Sequence, residues 1–360
     1  MTTITDPITI KNLQLAHRLA LAPMTRSRAL TDGTPGPLAA QYYAQRADLG
    51  LLITEGTQPS DDGQGYLNTP GIYRPEHIAG WRQITDAVHE RGGRVFIQLM
   101  HVGRMSHPAN TPHHRPALAP SAIAPGVTIF TPSGAQPVPT PRALTIAEIA
   151  TTVADFRRAA AAAIAAGADG IELHGGNGYL LQQFLAPNAN TRTDRYGGSI
   201  ANRARLMLEI AAAVADEIGA ERVGIRLSPG GRLGGLDEGL DAADLYRHLV
   251  GGLAALDLAY LHLLHVSADE QLLADLRRAW PNTLLLLRAG RTVDRDALDA
   301  ELAAGIADVL PLGSSALANP DILARLRAGA RLNVADPSTF YGGGAAGYTD
   351  YPTLDVLQPV

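Results

Sequence analysis

The chain has 360 residues, of which 46% are hydrophobic and 18% charged, a composition typical of a soluble globular protein with a sizeable core. The formal net charge of −5 and the lack of a long basic run give no electrostatic support for binding nucleic acid or a membrane surface. The sequence has no cysteine, which excludes disulfides, thiolate metal sites, iron–sulfur clusters and cysteine nucleophiles. It shows neither a signal-peptide pattern nor an apolar run of membrane length, and we therefore expect a cytoplasmic protein.

Short, nearly continuous apolar runs alternate with longer amphipathic or alanine-rich stretches along the chain. Such runs are typical of parallel strands that are buried on both faces. We predict eight strands, at Arg18–Pro23, Leu51–Gly56, Val95–Met100, Gly170–His174, Val223–Leu227, Tyr260–Val266, Thr283–Ala289 and Ala307–Leu312.

The stretches between these strands have the periodicity of helices. Thr145 and Glu148 form a capping-box pattern, and Gly167 and Gly219 stand where helices should end. The predicted helices include Thr145–Ala166, Ile200–Ile218, Ala242–Leu253, Asp269–Ala279, Asp294–Ala304 and Asn319–Arg327.

Eight strands, each followed by a helix, predict one domain over residues 1–360 that is folded as a closed (β/α)8 TIM barrel, with a doubly wound sheet as the main alternative. Pro7–Leu15 should form an N-terminal hairpin that closes the bottom of the barrel. The long loop after strand 3, His101–Ala143, is rich in Pro, Gly and Thr, and its segment Val127–Thr131 can form a small hairpin. Together with Ala186–Ser199 it lies at the carboxyl ends of the strands, where barrel active sites occur.

Polar residues interrupt the apolar strands at their carboxyl ends, so that they would surround one pocket. The richest segment follows strand 4 and reads His-Gly-Gly-Asn-Gly-Tyr. His174 and Asn177 are three residues apart on a turn, so both can donate to one carbonyl or nitro oxygen and stabilise negative charge there. The phenol of Tyr179 can act as a general acid. The same residues are equally compatible with a core histidine, a glycine turn and a packed tyrosine.

A long segment from His174 to Arg205, which contains His-Gly-Gly-Asn-Gly-Tyr-Leu-Leu-Gln-Gln-Phe-Leu and Asn-Thr-Arg-Thr-Asp-Arg-Tyr-Gly-Gly-Ser-Ile, resembles the Old Yellow Enzyme family of FMN-dependent ene-reductases. The similarity runs from about Asp6 to Pro352. The ending Phe340–Pro352 resembles the bacterial branch that includes the N-ethylmaleimide and nitrate-ester reductases. The resemblance implies a barrel that holds FMN non-covalently and takes hydride from NADH or NADPH. The implied substrates are activated alkenes of α,β-unsaturated carbonyl, imide or nitro compounds, with nitrate esters as a further class.

The resemblance also implies roles for individual residues. His174 and Asn177 match the pair that grips the substrate carbonyl, and Tyr179 matches the residue that protonates the substrate after hydride leaves N5 of reduced FMN. Thr25 matches a residue that hydrogen-bonds flavin O4, and Arg226 matches a cation near flavin N1 and O2. The remaining positions that match residues lining the isoalloxazine are Pro23, Met24, Gly56 and Gln98.

The substrate pocket is expected to have Tyr66 and Tyr341 as aromatic walls, again by resemblance. Met100 stands where many relatives carry a tryptophan. This exchange should widen or reshape the pocket, although a flexible methionine can still fill the space.

The chain departs from the family in the loop after strand 8, where Gly313-Ser314 replaces the usual Gly-Arg. In the family this arginine contacts the FMN phosphate, so a charge-assisted contact is missing. Backbone amides in the loops after strands 7 and 8, with Ala289 and Gly290 in the first, can still hold the phosphate. We expect Arg291 to supply the charge instead.

Two other functions remain compatible with the residues alone. One is a phosphate-binding barrel aldolase or isomerase, although the strand ends offer no obvious lysine or carboxylate base. The other is a barrel that binds a ligand without catalysis. We predict no metal site, since His262 and His265 should face opposite sides of one strand. The expected partner is a small-molecule substrate, and the expected state is a monomer or homodimer.

Overall fold

A computed structural model describes residues 2–267 and 269–354 of the chain. Within them, eight parallel strands follow one another around a single sheet in chain order, and the last strand pairs with the first. A parallel bridge between Leu285 and Val309 closes the ring, which confirms the predicted barrel and excludes the doubly wound sheet. The barrel strands, β1 to β8 in chain order, are Leu19–Leu21, Leu51–Ile53, Val95–Leu99, Gly170–His174, Val223–Leu227, Tyr260–His265, Thr283–Arg288 and Leu310–Leu312.

Helices follow the strands and cover the outside of the barrel. Of the predicted helices, Ile200–Ile218 matches at both ends, and the others differ by three residues or fewer at either end. The α-helices in the described ranges are Ala39–Ala44, Pro75–His89, Ile146–Ala165, Leu180–Leu185, Ile200–Ile218, Ala242–Ala254, Glu270–Ala279, Arg295–Ala303, Ser314–Ala318 and Ile322–Ala328.

Some barrel strands are shorter than predicted because the chain leaves the regular ladder as it approaches the rim. Strand β1 ends before Pro23, which has no amide proton to donate. Beyond β2 the backbone still pairs with its neighbour: Thr57 N donates to Gln98 O at 2.8 Å, and Met100 N donates to Thr57 O at 2.9 Å. The residues after β2 and β3 are therefore held rigidly although they lie outside the strands.

The N-terminal hairpin consists of Ile8–Ile10 paired antiparallel with Leu13–Leu15. Its residues Ile10 and Leu15 pack against the inward-facing rings of Phe96 and Tyr260. The hairpin thus closes the amino-terminal end of the barrel, as predicted.

The loop after β3 contains the second predicted hairpin. Thr128–Thr131 pairs antiparallel with Gly134–Pro137, and Leu118–Ala119 pairs with Arg142–Ala143 at the base of the loop.

No helix within residues 2–267 and 269–354 is long and apolar enough to cross a membrane.

The capping box at the start of helix Ile146–Ala165 is present as predicted. Thr145 Oγ1 accepts from Glu148 N at 3.2 Å, and Glu148 Oε2 accepts from Thr145 N at 2.8 Å. Arg142 adds an ion pair to the same carboxylate, 2.7 Å from Glu148 Oε1.

We expect Thr145→Ala to lower the free energy of unfolding by about 1 kcal/mol, because one helix N–H loses its acceptor. Urea unfolding measures the loss. Thr151→Ala, the same exchange on the exposed face of this helix, serves as the control. An equal loss in both variants would contradict the role of the cap.

Candidate active site

A cavity of about 350 Å³ opens at the carboxyl ends of the strands. A second cavity of about 500 Å³ lies beside it, and Ser314 belongs to the walls of both. The second cavity is also lined by Gly290, Arg291 and Gly313. The predicted site residues in the wall of the first cavity are Pro23, Met24, Thr25, Gly56, Gln98, Met100, His174, Asn177, Tyr179, Ser314 and Tyr341.

The turn after β4 places three of these side chains on one side of the first cavity. Asn177 has a φ of +53° and Gly178 a φ of +80°, so the chain reverses sharply within two residues. A Cβ atom at Gly178 would lie 2.3 Å from the carbonyl oxygen of Leu233. Only glycine therefore fits at this position, for both conformational and steric reasons.

Side chains that the sequence did not single out hold this turn in place. Gln182 Oε1 accepts from Gly178 N at 2.7 Å, and Gln183 Nε2 donates to Gly178 O at 2.8 Å. Ser228 Oγ accepts from Asn177 N at 2.8 Å. The available signal was two adjacent glutamines in a short apolar run, because buried amides require hydrogen-bond partners.

His174 presents a neutral N–H donor to the cavity. Its Nδ1 accepts from Gly176 N at 3.2 Å, so the ring proton resides on Nε2. Burial and the positive charge of Arg226 hold the pKa of His174 well below its usual value. The imidazole is therefore uncharged at neutral pH.

Asn177 and Tyr179 complete the donor set. The side-chain oxygen of Asn177 is buried and has no partner among the described residues, which indicates that a polar ligand atom belongs beside this amide. The Tyr179 hydroxyl donates to the Tyr66 hydroxyl at 3.2 Å, which places the predicted wall residue Tyr66 directly behind it. Burial and Tyr66 raise the pKa of Tyr179 well above its usual value, so the phenol keeps its proton.

Met100 packs tightly over Gly56 in the wall of the first cavity. Its side chain is nearly fully buried, and a Cβ atom at Gly56 would lie 2.4 Å from Met100 Sδ. That Met100 reshapes the pocket relative to a tryptophan stays a prediction.

Arg226 and Gln98 provide the test of whether the cavity suits a flavin. Arg226, a predicted site residue, is not among the residues that line either cavity; it is 4% exposed, and its Nε has no partner in residues 2–267 and 269–354. A desolvated guanidinium without an acceptor is costly, so an electron-rich ligand atom is expected beside it. Gln98 Nε2 donates to Glu172 at 2.7 Å, which leaves its oxygen for a ligand N–H. A guanidinium and an amide oxygen suit the pyrimidine edge of FMN, and the residues present therefore fit this cofactor.

The outer wall of the cavity comes from residues 339–347, which we call the C-terminal strap. Arg26 donates from Nε to Phe340 O at 3.0 Å and from Nη2 to Gly347 O at 2.9 Å. Arg28 Nη2 donates to Thr339 O at 3.0 Å. These contacts bring Tyr341, which is 68% exposed, to the cavity mouth.

Glu55 supports the base of the strap. Its Oε2 accepts from Arg26 N at 2.9 Å, and burial raises the pKa of Glu55 to about 7. Neither this contact nor the strap was predicted from the sequence.

At the second cavity, the loop after β7 differs from expectation in two respects. Arg291 is 7% exposed and donates to Glu301 Oε1 at 2.8 Å and to Leu286 O at 2.6 Å. Its Nε has no partner among the described residues. Ala289 is exposed, and its amide donates to His265 O at 3.2 Å. The Ala289 amide is thus already engaged, whereas Arg291 lines the cavity with part of its charge neutralised.

Comparison with known proteins identifies the family. The model of the NADH:flavin oxidoreductase / NADH oxidase family matches residues 3–333. A probable flavin mononucleotide-dependent alkene reductase of Leishmania infantum is 39% identical, with 97% of this chain and 96% of that protein covered. 12-Oxophytodienoate reductase 7 of Oryza sativa subsp. japonica is 40% identical, with 97% and 94% covered.

Solved structures of similar proteins support the same family. Morphinone reductase superposes with a TM-score of 0.94 at 40% identity, covering 100% of this chain and 98% of that one. The Old Yellow Enzyme homologue from Zymomonas mobilis gives a TM-score of 0.93 at 34% identity, covering 98% and 100%.

These matches extend over the whole barrel and leave the aldolase or isomerase alternative and the non-catalytic alternative without support. They come from a protist, a plant and a bacterium, so the bacterial branch stays a prediction. The chain belongs to the NADH:flavin oxidoreductase / NADH oxidase family, which is the Old Yellow Enzyme family of FMN-dependent oxidoreductases.

Proposed function

We propose that this protein uses NADH or NADPH to reduce the activated C=C bond of α,β-unsaturated carbonyl, imide and nitro compounds, with nitrate esters as a further substrate class. The observation that carries the proposal is the arrangement of His174, Asn177 and Tyr179. Two neutral donors and one protonated phenol line the same cavity as Pro23, Met24, Thr25, Gly56 and Gln98, which are expected to contact the flavin.

His174 and Asn177 are proposed to bind the electron-withdrawing oxygen of the substrate. The Nε2–H of His174 is free because Nδ1 is engaged by Gly176, and the Asn177 amide has no partner among the described residues. Both donors are pre-positioned, so they can stabilise the charge that develops on a carbonyl, nitro or nitrate oxygen without reorganisation.

Tyr179 is proposed to deliver the proton to the carbon next to the activating group. Bound FMN supplies hydride chemistry, accepting hydride from the nicotinamide and donating it to the alkene. Tyr66 is proposed to assist Tyr179 in this step. Its hydroxyl lies 3.2 Å from that of Tyr179, so it can donate a hydrogen bond to the phenolate as the proton leaves.

Pro23, Met24, Thr25, Gly56 and Gln98 are proposed to line the isoalloxazine of FMN, and Arg226 is proposed to lie beside it. Ser314 belongs to both cavities, so the phosphate is proposed to bind in the second one. There Gly290, Gly313 and Arg291 would hold it.

We expect the purified protein to oxidise NADPH or NADH in the presence of 2-cyclohexenone, N-ethylmaleimide or a nitroalkene. Tyr179→Phe should slow the reduction of cyclohexenone by about 100-fold or more, the range of general acid catalysis, while reduction of the flavin by nicotinamide is retained. Stopped-flow absorbance resolves the two half-reactions. Tyr73→Phe is the matched control, since it removes a phenol hydroxyl that belongs to neither cavity. Full alkene turnover in Tyr179→Phe would rule out Tyr179 as the proton donor.

The alkene half-reaction should be nearly independent of pH between about pH 7 and about pH 9. The pKa of His174 is lowered, so the imidazole is neutral throughout this range, and the pKa of Tyr179 is raised, so the phenol stays protonated. Rate constants measured by stopped flow from about pH 5.5 to about pH 9, in the enzyme and in Glu55→Gln, test this, because the pKa of Glu55 is about 7. A tenfold change centred near pH 6.5 in both proteins would show that His174 titrates as an ordinary histidine.

Arg291→Ala should raise the dissociation constant of FMN by about tenfold or more, because a charge-assisted hydrogen bond contributes about 1.5 to 3 kcal/mol. Quenching of FMN fluorescence on titration into apoprotein measures the constant. Arg295→Ala is the control, since Arg295 lies outside the cavity, at the start of the following helix, and pairs with Asp299 at 3.5 Å. Unchanged affinity in Arg291→Ala would remove Arg291 from the phosphate site.

A further inference from the structure

Below the first cavity, the barrel interior contains a fully buried carboxylate that the proposed reaction does not use. Glu172 has no exposed surface, and its two oxygens accept from Gln98 Nε2 at 2.7 Å and from His262 Nδ1 at 2.9 Å. His262 is also fully buried. We call these two residues the Glu172–His262 pair.

Strand register places Glu172 one layer beneath His174 and Arg226, and it places His262 level with them. Glu172 and His174 are two residues apart on β4, so they point to the same interior face. His174 is level with Arg226 on β5, and Arg226 is level with His262 on β6. The carboxylate therefore lies under the guanidinium that is expected to face the flavin.

The carboxylate is ionised and the imidazole is neutral. Burial alone would raise the pKa of Glu172, but His262, Arg226 and Gln98 outweigh it and hold the pKa below its usual value. Burial and Arg226 lower the pKa of His262, and Nδ1 donates its proton to Glu172. One negative charge thus lies in the centre of the barrel.

The Glu172 carboxylate does not form a direct ion pair with Arg226. No carboxylate within residues 2–267 and 269–354 lies within 4.0 Å of the Arg226 guanidinium. Glu172 nevertheless acts on Arg226 through space and stabilises its charged form. At interior dielectric values such an interaction remains strong beyond contact distance.

We propose that Glu172, oriented by His262, is a positioning residue that lowers the reduction potential of bound FMN. It does so by offsetting the positive charge of Arg226 next to the flavin and by turning the Gln98 oxygen towards the cavity. Reduced flavin carries more negative charge than oxidised flavin, so an uncompensated Arg226 would favour the reduced form. The inference rests on the proposed placement of Arg226 beside the flavin.

Glu172→Gln tests the charge with little change of shape, because His262 can switch tautomer to accept from the new amide. In the FMN-loaded enzyme we expect a more positive midpoint potential. The expected shift corresponds to at least a tenfold change in the ratio of reduced to oxidised flavin, or about 30 mV for a two-electron couple. Spectroelectrochemical titration measures it, and FMN fluorescence gives the dissociation constant in parallel.

His262→Leu provides a second, independent variant. It removes a donor from Glu172, which should favour the protonated carboxyl and shift the potential in the same direction. The shift in midpoint potential in the double variant should not exceed the shift in Glu172→Gln alone, because both substitutions act through the charge of Glu172. Glu209→Gln is the matched control, since it removes an equal charge outside the barrel, where Glu209 accepts from Tyr196 at 2.8 Å.

Arg226→Gln should shift the midpoint potential of bound FMN in the negative direction. This variant distinguishes a failure of the inference about Glu172 from a failure of the proposed placement of Arg226. If Arg226→Gln shifts the potential but Glu172→Gln and His262→Leu match Glu209→Gln, the inference is overturned and the proposed flavin placement stands. If Arg226→Gln has no effect on potential either, the placement of Arg226 beside the flavin is wrong, and the inference falls with it.

Discussion

A single positive charge, held out of water at the mouth of the barrel, sets the chemistry of this site. Arg226 is almost fully buried and has no carboxylate in contact among the described residues. Burial and the field of Arg226 keep His174 neutral, so the group that lines the cavity is an N–H donor rather than a cation. His262 and the same field hold the pKa of Glu172 below its usual value. One guanidinium thus contributes to the protonation states of both the histidine and the carboxylate.

Barrel geometry explains why so much of the site was predictable. All parallel strands end at one rim, so polar residues at strand ends must meet there, and eleven predicted residues do line one cavity. The supporting contacts were not predictable in this way. Gln182 holds Gly178 through its side chain, and Arg26 holds Phe340 across 314 residues of sequence. Such contacts leave no periodicity or local motif, because the partners meet only after the chain has closed.

At the second cavity, where the FMN phosphate is proposed to bind, residue types could again be predicted from the sequence, whereas long-range contacts could not. The replacement of the usual arginine at Ser314 can be read directly from the chain, and so can the nearness of Arg291 to the end of β7. The pairing of Arg291 with Glu301 cannot, because it depends on how helix Arg295–Ala303 returns against the barrel. Likewise, the engagement of the Ala289 amide by His265 depends on the path of the neighbouring strand. The type of a residue indicates which ligand its side chain or amide can bind. The residues packed around it in the fold decide whether that group is available for the ligand.

The C-terminal strap has a consequence for how the protein matures during synthesis. Arg26 and Arg28 emerge from the ribosome early, but the carbonyls that they hold belong to residues 339–347. A nascent chain that has completed all eight strands still lacks Tyr341, and with it one wall of the first cavity. It also lacks Tyr348, which is buried and stacks on Tyr42 with ring centroids 4.2 Å apart. The first helix after β1 and the first cavity are therefore both completed only when the end of the chain has been made.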